Sequence, residues 1–385
     1  MPSYQSLGKV PQKRHTQFRK PDGGLYAEEL FGEEGFSGMY SLLYHQHPPT
    51  RVSAIKSLGK LEQKEWPQEQ HRHHHVRTAD VAPGGDPVTG RRLMFFNNDC
   101  AMSVARPTEP MDYFYRNAMG DEVLFVHQGK GTLETIFGTL PYSEGDYLVI
   151  PRGTTYRVRP AEGEQRFLVI EGFGGDIVPP KRYRNQFGQL LEHSPYTERD
   201  LRGPSELPQH EERGEYHVHL KVNGELMDYQ FDFHPLDVVG WDGYLYPYAF
   251  SIHDFEPITG RVHQPPPVHQ TFEGPNFVIC SFCPRKLDYH PLAVPIPYNH
   301  SNIDSDEVLY YVSGDFSSRR GIEVSSFTLH PRGIPHGPHP GTIVASRPAT
   351  RTDELAVMID TARPLHLTRQ ALEYDDPTYP YSWID

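Results

Sequence analysis

The 385-residue chain is 37% hydrophobic, rich in proline (37) and glycine (33), and carries a formal net charge of −13. Its length allows two domains with full cores. Its acidity argues against nucleic acid or an anionic membrane as a partner, although a local Arg or His cluster can still draw a small anion into a pocket.

No stretch has the ~20 apolar residues of a membrane helix, and the N-terminus lacks an apolar segment of signal length. The three cysteines, Cys100, Cys280 and Cys283, are too few for a disulfide scaffold. A soluble protein of the reducing cytoplasm is therefore expected.

In chain order, residues 1–95 are polar, with strand patterns at Met39–Tyr44 and Leu93–Asn97. Gly24–Gly32 (GLYAEELFG) reads as a short helix or an extended arm. The run His71–His75 (HRHHH) reads as a solvated loop, because nothing in it imposes a rigid geometry. Strand patterns then alternate with turns at Val123–Val126, Gly131–Phe137, Asp146–Ile150 and Arg166–Ile170. Residues 174–215 suit a connector with one short helix. Strands return at Tyr216–Val222, Phe277–Phe282, Val308–Val312, Glu323–Leu329 and Leu355–Asp360. Cys280 and Cys283 form one CxxC within a strand pattern, with no second pair, and read as structural. Pro-rich stretches at Gln264–Val268 and His290–Pro297 break any long helix. The tail, Tyr374–Asp385, reads as an extended segment. The expected class is mainly β: two tandem antiparallel barrels or jelly rolls with few short helices.

An internal repeat organises this list. Tyr115–Gly129 (YRNAMGDEVLFVHQG) matches His300–Gly314 (HSNIDSDEVLYYVSG), and Pro151–Tyr156 (PRGTTY) matches Pro331–His336 (PRGIPH), at offsets of 185 and 180 residues. Residues 1–175 thus hold one copy and 176–385 the other. Tyr115, Glu122 and Tyr156 of the first copy stand where the second has His300, Glu307 and His336. Two imidazoles and a carboxylate suit non-haem Fe(II) with open positions. Ligands on neighbouring strands can converge, because side chains alternate between faces. The second copy is therefore expected to hold the metal and the first to be a metal-free structural partner, with Tyr115 and Tyr156 as core hydrogen-bonding residues.

The spacing His300-x-Asn302-x4-Glu307-x6-Gly314, followed by Pro331-x-Gly333-x2-His336, resembles the cupin motifs, with Asn302 where a second His is usual. Gly24–Leu30, Asp121–Gly129, Gly145–Thr154 and Leu329–Pro338 widen the resemblance to the homogentisate 1,2-dioxygenase family, across residues 24–338. That resemblance implies a bicupin that uses Fe(II), held by His300, Glu307 and His336, and O2 to open the ring of homogentisate. The product would be maleylacetoacetate, in tyrosine and phenylalanine catabolism.

It also implies that His330 lies near the substrate and that His269, with His263 in reserve, is the acid/base. The family has a tyrosine where this chain has Phe316, so Tyr310, Tyr311, Arg319 or Arg320 must supply any missing contact. Tyr310 and Arg319 are the substrate-binding candidates. The expected partners are a small aromatic substrate, O2 and further copies of the chain. A dioxygenase of gentisate or another hydroxylated aromatic acid, a metal-dependent isomerase, and a non-enzymatic binding protein stand as alternatives.

Overall fold

The computed structural model describes residues 3–61, 63–314, 316 and 321–384. It is mainly β, with α-helix only at Thr342–Ser346 and Arg369–Leu372 among the described residues. Three large antiparallel-rich sheets are stacked. They are open, jelly-roll-like layers and do not close into barrels.

The central layer is an eight-stranded sheet running Leu201–Arg202, Tyr248–Ser251, Asp146–Ile150, Gly120–Gln128, Arg166–Phe173, Cys100–Ala105, Arg92–Phe96 and His366–Leu367. One face packs Leu124, Val126, Leu148 and Val169 against Leu133, Tyr156 and Val158 of a seven-stranded sheet. The other packs Val123, Phe125, Val149 and Ile170 against Val308, Phe327, Val357 and Ile359. Those four belong to a six-stranded sheet ordered Gln270–Gly274, Phe277–Phe282, Leu355–Thr361, Asp306–Ser313, Phe327–His330 and His74–Val76. A strand covered on both faces is apolar throughout, which is why Glu-Val-Leu-Phe-Val lacks a period of two.

The two copies superpose in detail at their turns. Gly129 and Gly314 have φ of 99° and 96°, and Gly153 and Gly333 have 80° and 79°. Left-handed backbone favours glycine at these four positions. Asp121 and Asp306 each accept a 2.9 Å hydrogen bond from the backbone of the matching arginine, Arg152 and Arg332.

Several local expectations change. Ala27–Gly32 is a strand paired with Tyr40–His45, so the arm is extended rather than helical. The connector carries two 3-10 turns, at Lys181–Tyr183 and Glu198–Asp200. The strand expected from Glu323 starts at Phe327, because Ser325 sits at φ 65°. The tail includes a 3-10 turn at Tyr379–Tyr381. No break between sheets marks residue 175: Arg213–Val222 and Glu225–Phe233 extend the seven-stranded sheet of the first copy.

The run His71–His75 is not a solvated loop. His74 and His75 are buried in a strand that edges the second copy's sheet. Asp375 from the tail binds both Arg72 and His74, at 2.6 and 2.9 Å.

Candidate metal centre and active site

The strand Asp306–Ser313 sorts its side chains by parity. Val308, Tyr310 and Val312 enter the core shared with the first copy. Glu307, Leu309 and Tyr311 face a cavity. Glu307 is paired across the sheet with His330 on one side and Asp360 on the other. His300 and His336 are joined by a two-way backbone bridge, each N–H donating to the other's carbonyl at 2.9 Å. The turn at Gly333 returns the chain to make that bridge.

The result is a set in which ligand atoms of His300, Glu307 and His336 all lie within 4.8 Å of one another. His300 Nε2 is 3.6 Å from Glu307 Oε2, and His336 Nε2 is 3.3 Å from Glu307 Oε1. Burial alone would raise the Glu307 carboxyl, but His300, His330 and His336 around it hold it well below the usual carboxylate range. Among the described residues neither ring nitrogen of His336 makes a well-directed hydrogen bond, and the 3.3 Å approach of its Nε2 to Glu307 is its one polar contact. A buried imidazole so weakly satisfied, beside a carboxylate and a second imidazole, is a donor set that fits a divalent cation with open positions.

His330 supports this set from behind. Its Nδ1 is 2.9 Å from Glu307 Oε1, its ring stacks on His336 at 4.3 Å, and its Nε2 is 3.3 Å from the Tyr379 hydroxyl. It is fully buried and does not line the cavity, so it contacts Glu307 and His336 from behind and does not reach the cavity where a substrate is expected to meet it. Further back, His73 packs on Trp383 at 5.1 Å, and the Trp383 indole donates to the Gly337 carbonyl at 3.1 Å. The histidine run and the tail together thus brace the His336 loop.

In front lies a cavity of about 340 Å³ whose wall includes His269, Phe282, Arg285, Asn302 and Asp360. His269 ends the 3-10 turn Pro266–His269 and lies tilted on the Phe282 ring at 4.6 Å. Burial, with the charges of Arg285 and His263 adding to it, pushes its imidazole down to about 3, so it is neutral at physiological pH. His263 also lines the cavity but is more open, 3.3 Å from Asp288.

Tyr310 is displaced from its expected role: it points to the opposite face, packed on Phe327 at 4.9 Å. Tyr311 is the tyrosine on the cavity side, hydrogen-bonded to Thr328 at 2.9 Å, with Phe316 against its ring at 4.6 Å. Arg319 and Arg320 lie outside the described residues. Cys100, Cys280 and Cys283 are buried free thiols.

Asp360 and Arg285 were not singled out from the sequence, and His73 was read only as part of a solvated run. Burial and the Glu307 charge raise the Asp360 carboxyl to about 8, and its Oδ1 has no hydrogen-bond partner among the described residues. The one available signal was parity: Asp360 is on the same side of its strand as Met358, which also lines the cavity.

The first copy is built differently at the equivalent place. Arg91 donates to Glu122 and, at 3.0 Å, to the Tyr156 hydroxyl, which donates to Glu122 at 2.7 Å. A second carboxylate group, Glu33, Asp121 and Asp176, also has oxygens within 4.8 Å of each other. There Arg152 supplies the cation, contacting all three. No helix among the described residues is long and apolar enough to cross a membrane.

Residues 5–252 match the family model described as homogentisate 1,2-dioxygenase N-terminal. A protein of Saccharolobus solfataricus named as a putative dioxygenase is 45% identical, over 99% of this chain and 98% of its own length. The homogentisate 1,2-dioxygenase of Arabidopsis thaliana is 28% identical over 98% of this chain and 88% of its own length. Among solved structures, a cupin 2 conserved barrel domain protein from Leptotrichia buccalis aligns with TM-score 0.35 and 9% identity, over 77% of this chain and 99% of that one.

Proposed function

The chain belongs to the homogentisate 1,2-dioxygenase family, and on that premise we propose that it is an Fe(II)-dependent enzyme opening the ring of homogentisate with O2 to give maleylacetoacetate. Its setting would be tyrosine and phenylalanine catabolism in the cytoplasm. The observation that carries this reading is the His300, Glu307 and His336 set, with Glu307 and His336 buried and His300 half-buried, opening on a cavity lined by His300 and Glu307. Exposed Val262, Tyr289, Leu292 and Ile303, on loops adjoining the cavity-lining residues His263, Asp288 and Asn302 in sequence, support a homo-oligomer.

Fe(II) held by these three residues supplies a Lewis acid for a ring hydroxyl and an electron donor for O2. The chain's own groups do the rest. Glu307 stays ionised and His330 fixes its orientation. His269 is the unprotonated imidazole on the cavity wall that would take the proton from the ring hydroxyl, once the bound anionic substrate beside it offsets the burial that otherwise holds its pKa near 3. Phe282, Leu287 and Pro297 give the ring an apolar seat and keep water out. We assign the metal to the copy holding His300–His336 and none to the copy holding Tyr115–Tyr156; the boundary near residue 175 is one of repeat sequence, since residues 213–233 complete the first copy's sheet and His74–Val76 the second's. Arg91 favours that assignment, since it occupies the pocket of Glu122 with a fixed cation.

A second reading, ring cleavage of gentisate or a related hydroxylated aromatic acid, is favoured by Phe316, whose ring leaves no phenol at that position. Oxygen uptake by Fe(II)-loaded protein across a panel of hydroquinones and aromatic acids separates the two. The greatest uptake is expected with homogentisate. Uptake with gentisate alone would move the substrate, and no uptake with turnover of a sugar or keto acid would make the protein an isomerase.

A further inference from the structure

We propose that Arg285 is the carboxylate-recognising residue of the cavity, and that the occupant is an aromatic acid whose anionic arm lies on this guanidinium. The inference rests on reading the cavity as the seat of an aromatic substrate.

Arg285 is placed by its pairing with Thr352 in a short two-stranded ladder, and it lines both lobes of the cavity. Its side chain is 15% exposed. A guanidinium has five N–H donors. Among the described residues one of them reaches the Cys283 carbonyl at 3.0 Å, and Glu354 faces the guanidinium as a loose ion pair at 3.8 Å, which offsets part of the charge but is too long to occupy a donor. A fixed cation with spare donors in a sheltered cavity attracts a carboxylate, which it can grip through two parallel bonds.

The flat surroundings define the rest of the ligand. The Arg285 guanidinium lies over the Phe282 ring at 5.4 Å, and Phe282 in turn carries His269 at 4.6 Å. Arginine, aromatic face and neutral imidazole therefore follow one another along the wall. A planar ring seated on that wall can place its carboxylate at Arg285 and a hydroxyl at His269. Lys286, beside Arg285, also borders the cavity but is exposed, so its charge is better screened.

The test uses anaerobic Fe(II)-loaded protein and two unreactive probes, phenylacetate and phenylacetamide, titrated by calorimetry. Wild type should bind the acid at least about tenfold tighter than the amide, as expected for a charge-assisted contact. Arg285→Gln should bring that ratio to about one with iron content intact, and Arg285→Lys should leave an intermediate ratio. If Arg285→Gln does not fold, the Arg285→Lys ratio alone decides. A wild-type ratio near one overturns the inference. So does a ratio unchanged in the variants, which would mean that the metal itself or another cation takes the carboxylate. Because neither probe is turned over, failure of the dioxygenase reading would appear separately, as absent oxygen uptake.

Discussion

Arg91 rests on Glu122 in the first copy of the repeat, where the second copy sets two imidazoles around Glu307. The same buried carboxylate position is thus neutralised in two ways. One copy carries its own guanidinium, closed by Tyr156. The other surrounds it with imidazoles in a donor set that fits a cation from outside. Tyr156 in place of His336 follows from this, since its phenol shares the guanidinium's carboxylate, while Tyr115 in place of His300 offers its ring face to Arg91 at 5.5 Å.

Removing the internal cation strands the carboxylate. Glu122 is 1% exposed, so Arg91→Met should lower stability by about 3–5 kcal/mol, the cost of an unpaired buried charge. Urea denaturation reads this directly. Iron content should be unchanged, because the first copy supplies no ligand. A loss under 1 kcal/mol would show that Glu122 simply takes up a proton.

His330 holds Glu307 without entering the cavity. His330→Ala should still load iron but with affinity weakened about 10–100-fold, as for other residues that orient a ligand. Competition with a chelator measures it. Unchanged affinity combined with a raised KM would instead make His330 a substrate contact.

His269 is predicted to matter for turnover and not for the metal. His269→Gln should keep full iron content and lose about 10²–10⁴ in kcat, the range of general-base catalysis. Unaltered kinetics would hand the role to His263, the other imidazole on the cavity wall.

A pH effect on stability should arise far from the site. His45 is buried between Asp237 and Glu29, each 2.8 Å away. Burial alone would lower its pKa, but the two carboxylates outweigh that and raise it to about 9. The protonated form is thus favoured by folding. Its contribution is complete below the unfolded value of about 6.5 and is lost as pH rises through 9. The melting temperature of wild type should fall more between pH 6.5 and 9.5 than that of His45→Gln. Parallel curves would contradict the assignment.

The repeat and the clustering of His300, Glu307 and His336 were readable in the sequence because they rest on local rules. Left-handed glycines, the Asp cap on the following arginine and the ligand spacing all act within one hairpin. Side-chain direction was less legible in Glu-Val-Leu-Tyr-Tyr-Val. Its strand is buried on both faces, so the apolar residues show no period of two; only counting by twos from Glu307 puts Tyr311, not Tyr310, on the cavity side. The buried histidine run was hidden for another reason. Its partners, Asp375 and Trp383, lie about three hundred residues away and look like a polar tail in isolation. Arg285 follows Cys283-Pro284 in a segment without periodicity, and only folding sets it on Phe282.

The central claim is that one iron sits in the second copy and none in the first. Anomalous diffraction at the iron edge, from crystals of protein loaded anaerobically with Fe(II), tests it most directly. A single peak between His300, Glu307 and His336, absent in His336→Ala, is the predicted result. A peak beside Glu122 or within the Glu33, Asp121 and Asp176 group, with none at Glu307, would contradict it.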